Sequence, residues 1–488
     1  MNLAQILQPG AQAHPHALAV AQGPVRLTYE QFTRDARAVA LHLRALGIAP
    51  GQMVAVDLAR PISHWLVLLA LMRLGAVTVS LTGQRDAELA ALTNLATVIV
   101  AEGDTHPYPP GLRAIALGKD WLRVPPEGDT VLPDPEVAAL ATGRIVFTSG
   151  TAGRAKAFLL PAAALHARLS GTARRTLITA RTVLWCGLGP DTAYGFTATL
   201  AGWASGAMVV LARGGPGDFQ TLTDRHANLL LASPAALAGL MRDAATTDLP
   251  RLAATAIVAG GRLPAGQRDA LLARLCSEVY VAFGASESGG VALGDAAGLD
   301  RDPGHVGRVF DDIDCRIVGE AGQDLPADSA GRLMIRSPAM TTAYLNAPEA
   351  TARHFAHGWF APGDTARLSE DRVLTMLGRP VDTLNLGGVK LQADDIDAAA
   401  RTLPGVLDAC AVVLNPDGAG QLALVIVGQF VAPVALAAAL RVAIPTLPRL
   451  TLVTVPALPR GTMGKVNRAA LAASIIARET DLQILGEF

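Results

Sequence analysis

The sequence is short of charge, of aromatic side chains and of cysteine. Only 17% of its 488 residues are Asp, Glu, Lys or Arg, and 4% are Phe, Trp or Tyr. With 41 basic against 42 acidic residues the formal net charge is −1, which removes the electrostatic case for a nucleic-acid or anionic-membrane binder. The four cysteines, Cys186, Cys276, Cys315 and Cys410, lie far apart and form no CxxC pair. Neither a zinc site nor a disulfide framework follows, and separate reduced thiols are expected. No long apolar run is present either. The greasiest stretch, 64–81, carries Arg73 and Gly75 and falls short of a membrane span. Residues 1–10 lack the basic-then-apolar order of a signal peptide, so a soluble cytoplasmic protein is expected.

What is present is hydrophobic material, 51% of the chain and much of it alanine. The length is too great for one ordinary compact domain. Apolar residues at helical spacing over 29–46 and 63–74 alternate with short apolar runs at 53–58 and 76–81. That rhythm predicts βαβ units and a mostly parallel sheet. It returns in strand candidates at 182–188, 208–212, 229–232, 256–259 and 279–282, with helical stretches at 234–242 and 264–275. Over 306–377 short strands with frequent Gly, Asp and Pro turns predict a small barrel or antiparallel sheet. Residues 378–488 alternate again, with strands expected at 409–414 and 422–427.

Five short stretches carry candidate chemistry. Ile145-Val-Phe-Thr-Ser-Gly-Thr-Ala-Gly-Arg-Ala-Lys156 runs from a strand into a loop of small and hydroxyl residues and closes on lysine. Backbone N–H groups, hydroxyls and a cation together make a polyphosphate cradle. It is not a Walker A loop, because the GxxxxGK[ST] spacing is absent. Tyr280-Val-Ala-Phe-Gly-Ala-Ser-Glu287 presents a hydroxyl and a carboxylate after a Gly turn, suited to Mg²⁺ beside phosphates. Gly358-Trp-Phe-Ala-Pro-Gly-Asp364 places an acid where it can grip two ribose hydroxyls. Gly378-Arg-Pro-Val-Asp382, followed by Leu384-Asn-Leu-Gly-Gly-Val-Lys390, puts an arginine at a domain joint; Pro459-Arg-Gly-Thr-Met-Gly-Lys465 ends on a loop lysine. Singly, each also reads as an ordinary turn or a solvated charge.

In this order and spacing the stretches resemble the adenylate-forming superfamily of acyl-CoA synthetases, peptide-synthetase adenylation domains and luciferases. The resemblance starts at Leu27-Thr-Tyr-Glu30, continues through Leu46-Gly-Ile-Ala-Pro-Gly51 and Leu74-Gly-Ala-Val77, and ends at Lys465. It implies an α/β fold: two doubly wound α/β subdomains and a small β-barrel-like subdomain over 1–378, then a small mobile α+β domain over 379–488. It also implies roles. Thr148, Ser149, Gly150, Thr151, Gly153 and Lys156 wrap the β,γ-phosphates. Gly260 and Gly261 line the adenine slot, Phe283 stacks on the ring and Ser286 sits by the α-phosphate. Glu287, with Thr151, holds Mg²⁺. Asp364 binds the ribose with help from Arg379. Lys465 bridges nucleotide and substrate carboxylate, and Gly387 and Gly388 flank the thiol channel.

The implied reaction uses ATP, Mg²⁺ and a carboxylic acid, then CoA or a carrier-protein phosphopantetheine. The residues after Lys465 are too few for a carrier domain, so a carrier acceptor implies a separate protein. No nucleic-acid or membrane partner is implied. The acid pocket is expected around Asp191, Ala193, Tyr194 and Gly195, with Ala259, Ala282 and Gly284. Ala193-Tyr-Gly195 is similar to the stretch in aryl-CoA ligases of the benzoate type. Asp191 also reads as the partner of a substrate amine, or as a plain turn residue after Pro190. Tyr194 and Trp203 read equally as pocket or core, and His354 and His357 as positions on one helix face. Val381 stands where the family has Asp or Lys at the hinge, and it alone motivates a third reading, a non-catalytic nucleotide-binding relative.

Overall fold

The computed structural model describes residues 2–81, 85–122, 131–148, 156–212, 215–379, 383–386, 389–414, 421–428, 432–459, 466–477 and 482–488. Two sheets organise the first 378 residues. The six-stranded sheet runs in the order Arg113–Leu117, Thr97–Ala101, Met53–Asp57, Val77–Ser80, Gly143–Thr148, Lys156–Pro161. All its pairs are parallel except the last, where Lys156–Pro161 folds back on Gly143–Thr148. The larger sheet has a parallel centre: Glu278–Ala285, Thr255–Val258, Leu229–Ala232, Val183–Cys186, Met208–Leu211 and Leu18–Gln22.

Burial on both faces explains why these strands are continuous apolar runs rather than alternating ones. Leu184 and Cys186 point into a core shared with the six-stranded sheet, while Trp185 between them points into a second core. Leu229 and Leu231 alternate with Leu230 and Ala232 in the same way. The shared core is filled by the helices Tyr29–Ala45, Pro61–Arg73 and Ala193–Ala204. Trp203 belongs there: it is wholly buried, its indole N–H donates 2.9 Å to the Ala19 carbonyl, and its ring meets Phe32 and Trp65 edge-on. Of the two readings for Trp203, the core one holds.

Local chemistry sets the element ends. Thr28 caps Tyr29–Ala45 with a reciprocal box, its hydroxyl accepting from Gln31 N while the Gln31 side chain accepts from Thr28 N. The buried Tyr29 hydroxyl donates 2.7 Å to the Ala207 carbonyl. The stretch Leu27-Thr-Tyr-Glu30 is therefore a folding feature. Gly75 has φ +76°, and a Cβ there would sit 2.8 Å from the Ala138 backbone, so Leu74-Gly-Ala-Val77 marks a tight helix-to-strand turn.

The antiparallel expectation for 306–377 is met, and these strands extend the edge of the larger sheet. From Glu278–Ala285 the order continues through Gly289–Asp295, His305–Val309, Val373–Gly378, Thr365–Leu368 and Gly331–Arg336. The histidine pair departs from the helix-face reading. The helix ends at His354, which pairs through Nδ1 with the Ala361 carbonyl at 2.8 Å, and His357 lies beyond it in a turn at φ 51°.

Beyond Gly378 a four-stranded sheet, Val406–Leu414, Gln421–Gly428, Leu450–Thr454 and Gln483–Glu487, carries its own cores. The buried Asp397 binds it to helix Arg468–Ala477 through Arg468 at 2.9 Å. The four thiols are unbridged, and burial raises Cys186 and Cys276 to about 11 and Cys315 and Cys410 to about 12. Among the described residues no helix is long and apolar enough to cross a membrane.

Candidate functional site

In doubly wound sheets ligands settle outside the carboxyl ends of parallel strands, where successive connections leave in opposite directions. Several candidate stretches begin at such ends. Thr148 closes Gly143–Thr148, Gly187 follows Val183–Cys186, Ala259 follows Thr255–Val258 and Ser286 follows Glu278–Ala285.

The Glu287 hairpin is built by sterics. Glu278–Ala285 turns back through Ser286-Glu-Ser288 into Gly289–Asp295, and a Cβ on Gly284 would meet the Gly289 carbonyl oxygen at 2.5 Å. Only glycine allows the two backbones this approach. Ser288 Oγ accepts from Ala285 N at 3.3 Å and closes the turn.

Glu287 is nearly fully buried and held on three sides. Its backbone carbonyl accepts from Thr341 N at 2.9 Å and from Arg168 Nη2 at 2.9 Å. Arg168 Nε donates to the Ala339 carbonyl at 2.9 Å, so one buried guanidinium ties the helix Ala162–Arg175 to both segments. Burial lowers the Arg168 guanidinium to about 10, opposed by the Glu287 charge. The Tyr344 hydroxyl donates 2.6 Å to Glu287 Oε1. Burial first, then Glu287, push that phenol up, so it stays a protonated donor at neutral pH.

The segment 337–345 also reaches the hairpin formed by Gly143–Thr148 and Lys156–Pro161. Thr341 Oγ1 donates 3.0 Å to the Leu159 carbonyl, and Leu345 N donates 2.7 Å to the Ala157 carbonyl. Lys156 lies opposite Thr148 in the register, with its Nζ 5.1 Å from the centre of the Tyr344 ring. A lysine, a buried carboxylate and the last residue before the Gly-rich loop are thus assembled by one strap. Asp364 and Arg379 form a second unit: Arg379 Nε donates 2.8 Å to Oδ1 and Nη2 3.3 Å to Oδ2, a forked pair. The Arg379 charge also reaches Tyr344, lowering its pKa against the larger effect of burial.

The acid-pocket candidates divide. Tyr194 is half-buried, and burial raises its pKa, with Cys186 adding to the rise and Arg175 opposing it. Ala193 packs into the shared core. Gly195 sits where a Cβ would lie 2.3 Å from the Gly189 carbonyl oxygen, so it answers to backbone packing. Thr192 is the N-cap of Ala193–Ala204, its Oγ1 accepting from Gly195 N at 2.9 Å. Asp191 is half-buried, within electrostatic reach of the buried Arg144. Ala259 is buried, Gly260 half-buried and Gly261 exposed; Ala282, Phe283 and Ser286 are half-buried and Gly284 is exposed. Ser149, Gly150, Thr151, Gly153, Val381, Gly387, Gly388 and Lys465 lie outside the described residues.

Sequence reasoning missed Arg168, Tyr344 and Arg144. Arg144 carried a signal, a lone charge in the apolar strand run Gly-Arg-Ile-Val-Phe; the other two carried none visible without the fold. A cavity of about 310 Å³ beside Arg268, Asp300 and Tyr280 shares no candidate residue with this site.

The donor chemistry fits a divalent cation: Glu287 is a buried carboxylate oriented through Oε1 by the Tyr344 hydroxyl, and such a metal prefers oxygen donors. It sits in reach of a lysine suited to phosphate.

Residues 7–345 match the AMP-binding enzyme family. The 2-hydroxy-7-methoxy-5-methyl-1-naphthoate–CoA ligase of Streptomyces carzinostaticus is 28% identical over 546 aligned residues, covering 97% of this chain and 93% of that protein. Feruloyl-CoA synthase of an Amycolatopsis species is 27% identical over 425, covering 83% and 84%. The solved McyG A-PCP structure with phenylalanyl-adenylate superposes with a TM-score of 0.83 at 17% identity, covering 98% of this chain and 95% of that one. With most of its length matched, the chain belongs to the AMP-binding enzyme family.

Proposed function

We propose that this enzyme activates a carboxylic acid with ATP to an acyl-adenylate and then transfers the acyl group to the thiol of CoA. The observation that carries the reading is the convergence of Lys156, Tyr344 and Glu287 beside the Asp364–Arg379 fork. In the first step a carboxylate oxygen attacks the α-phosphorus and pyrophosphate leaves. The carboxylate is already ionised at neutral pH, so no general base is required. Two anions must approach, and the remedy is positive charge fixed in advance. Lys156 faces the phosphates from the strand after the Gly-rich loop, and Asp364 takes the ribose hydroxyls with Arg379 orienting it. Glu287 and Thr151 would hold magnesium, which would supply positive charge against the phosphates. Lys465 bridges nucleotide and acid. In the second step the thiol attacks the acyl carbon and AMP leaves.

The chain divides at Gly378-Arg-Pro380 into a nucleotide- and acid-binding part and a C-terminal domain, 379–488, which delivers Lys465 for the first step and the Gly387-Gly388 region for the second. A compact aromatic acid suits a pocket drawn from Tyr194 and the small Ala259 and Ala282, and a naphthoate–CoA ligase and a feruloyl-CoA synthase are among the relatives. Loading of a separate carrier protein is the second reading, favoured by the likeness to the McyG A-PCP structure.

Pyrophosphate release from ATP–Mg²⁺ across aromatic, fatty, dicarboxylic and amino acids, with and without CoA, tests this. Turnover with an aromatic acid that rises with CoA supports the proposal. A single turnover unaffected by CoA transfers it to a carrier protein, and no release with any acid sinks it.

A further inference from the structure

Arg144 is wholly buried in the apolar core between the two sheets. It stands on Gly143–Thr148, the strand that leads into the Gly-rich loop, and its guanidinium carbon lies 4.5 Å from the centre of the Phe196 ring. Nη1 donates 3.3 Å to Thr78 Oγ1, and Nη2 donates 2.7 Å to Ser80 Oγ and 2.6 Å to the Pro190 carbonyl. Ser80 Oγ in turn lies 2.7 Å from Nε2 of the buried His64. No carboxylate is ion-paired with Arg144 among the described residues, and its Nε has no hydrogen-bond partner there. Asp191 is the charge that favours its protonated form, against burial, which lowers the group to about 9.

A buried guanidinium without a directly bound carboxylate is costly, and an apolar side chain of similar volume is often neutral or better for stability. Stability alone does not account for it. The Pro190 carbonyl does. That oxygen belongs to the loop between Val183–Cys186 and the helix Ala193–Ala204; the loop carries Asp191 and the first turn of the helix carries Tyr194. One side chain therefore pins the acid-side loop to the nucleotide-side strand.

We propose that Arg144 is a positioning residue for the acid substrate: by holding the Pro190 carbonyl it fixes the Pro190–Asp191 turn, and with it the shape of the acid pocket. The inference rests on the pocket assignment under the proposed function. Its consequence is a split between substrates. Loosening the turn weakens acid binding and discrimination between acids of different shape, while the nucleotide is held by Thr148, Lys156, Glu287 and Asp364, none of which Arg144 contacts.

The test is Arg144→Met and Arg144→Lys in the full chain, with thermal stability, the KM for acid and the KM for ATP measured for each. The Met variant is expected to fold, to raise the KM for acid about tenfold as expected for a displaced positioning contact, and to keep the KM for ATP within about twofold. Lysine, retaining charge and one donor to the Pro190 carbonyl, restores part of the loss. An unchanged KM for acid, or equal rises for acid and ATP, overturns the proposal. Hydrogen exchange of the peptide spanning residues 187–192 separates this from failure of the functional reading, because it requires no substrate. Faster exchange in Arg144→Met supports the pinning role even if no acid in the panel turns over, and unchanged exchange overturns it.

Discussion

The Tyr344 hydroxyl donates a 2.6 Å hydrogen bond to the buried Glu287 carboxylate, 57 residues away in sequence. A hydrogen bond to a charged acceptor is worth about 1.5–3 kcal/mol. Tyr344→Phe should therefore fold, with the carboxylate free to rotate. The expected result is an Mg²⁺ requirement raised about tenfold, in line with the loss of a partner that orients a metal ligand. Magnesium titration of pyrophosphate release reads this directly, and an unshifted midpoint removes Tyr344 from the role.

Asp364 and Arg379 act as a forked pair, so Asp364→Asn should lose the ionic contact and the grip on the ribose together. A rise of about 10–100-fold in the KM for ATP is expected from loss of charge-assisted hydrogen bonds, with the KM for acid little changed. Equal rises for both substrates would place Asp364 in scaffolding.

Gly284 permits an approach that any side chain blocks. Gly284→Ala puts a Cβ 2.5 Å from the Gly289 oxygen and should cost about 1–3 kcal/mol through strain. Pyrophosphate release should fall more than stability predicts, because the hairpin carries Glu287. Full activity in a destabilised variant would separate hairpin geometry from catalysis.

His64 supplies a pH dependence. Burial lowers it from 6.5 to about 4, with the Leu58 carbonyl contact opposing and the Arg144 charge adding to the shift. The unfolded chain takes up its proton near pH 6.5 and the folded chain only near 4, so between these values the unfolded state binds more protons. The stabilisation is complete above about 6.5 and falls as the pH drops, by about 3 kcal/mol on reaching 4. Urea midpoints at pH 7 and pH 5 should differ more for wild type than for His64→Gln. Equal differences would assign the acid sensitivity elsewhere.

Lys465→Ala should abolish adenylation and spare thioester formation from supplied acyl-adenylate. Both half-reactions surviving equally would remove Lys465 from the first step.

The parallel strands were legible because both faces are covered, and four-residue apolar runs such as Leu229–Ala232 need no periodicity to stand out. The strands Thr97–Ala101 and Arg113–Leu117 passed unmarked among polar turns, although they pair in register with each other. The motif residues Thr148, Lys156, Glu287, Asp364 and Arg379 were legible because their stretches, each weak alone, stand in an order and spacing that resembles the adenylate-forming superfamily. Their supports were not. Arg168 meets Glu287 across 119 residues, and a buried arginine on an amphipathic helix looks like any exposed one until the fold is closed. Asp191 read as the partner of a substrate amine or as a turn residue, and nothing in the sequence showed that its neighbour Thr192 spends its hydroxyl on the helix N-terminus, a local demand any Ncap position makes.

The cores divide the molecule in another way. The core between the sheets draws on residues from Leu3 to Tyr344, so the two large sheets share one hydrophobic interior. The interiors beyond Leu384 contain no residue from that set. Heating should therefore melt the chain in two calorimetric steps, one for each independent interior. ATP with acid, binding the first interior's strand ends, should shift its transition far more than the other's.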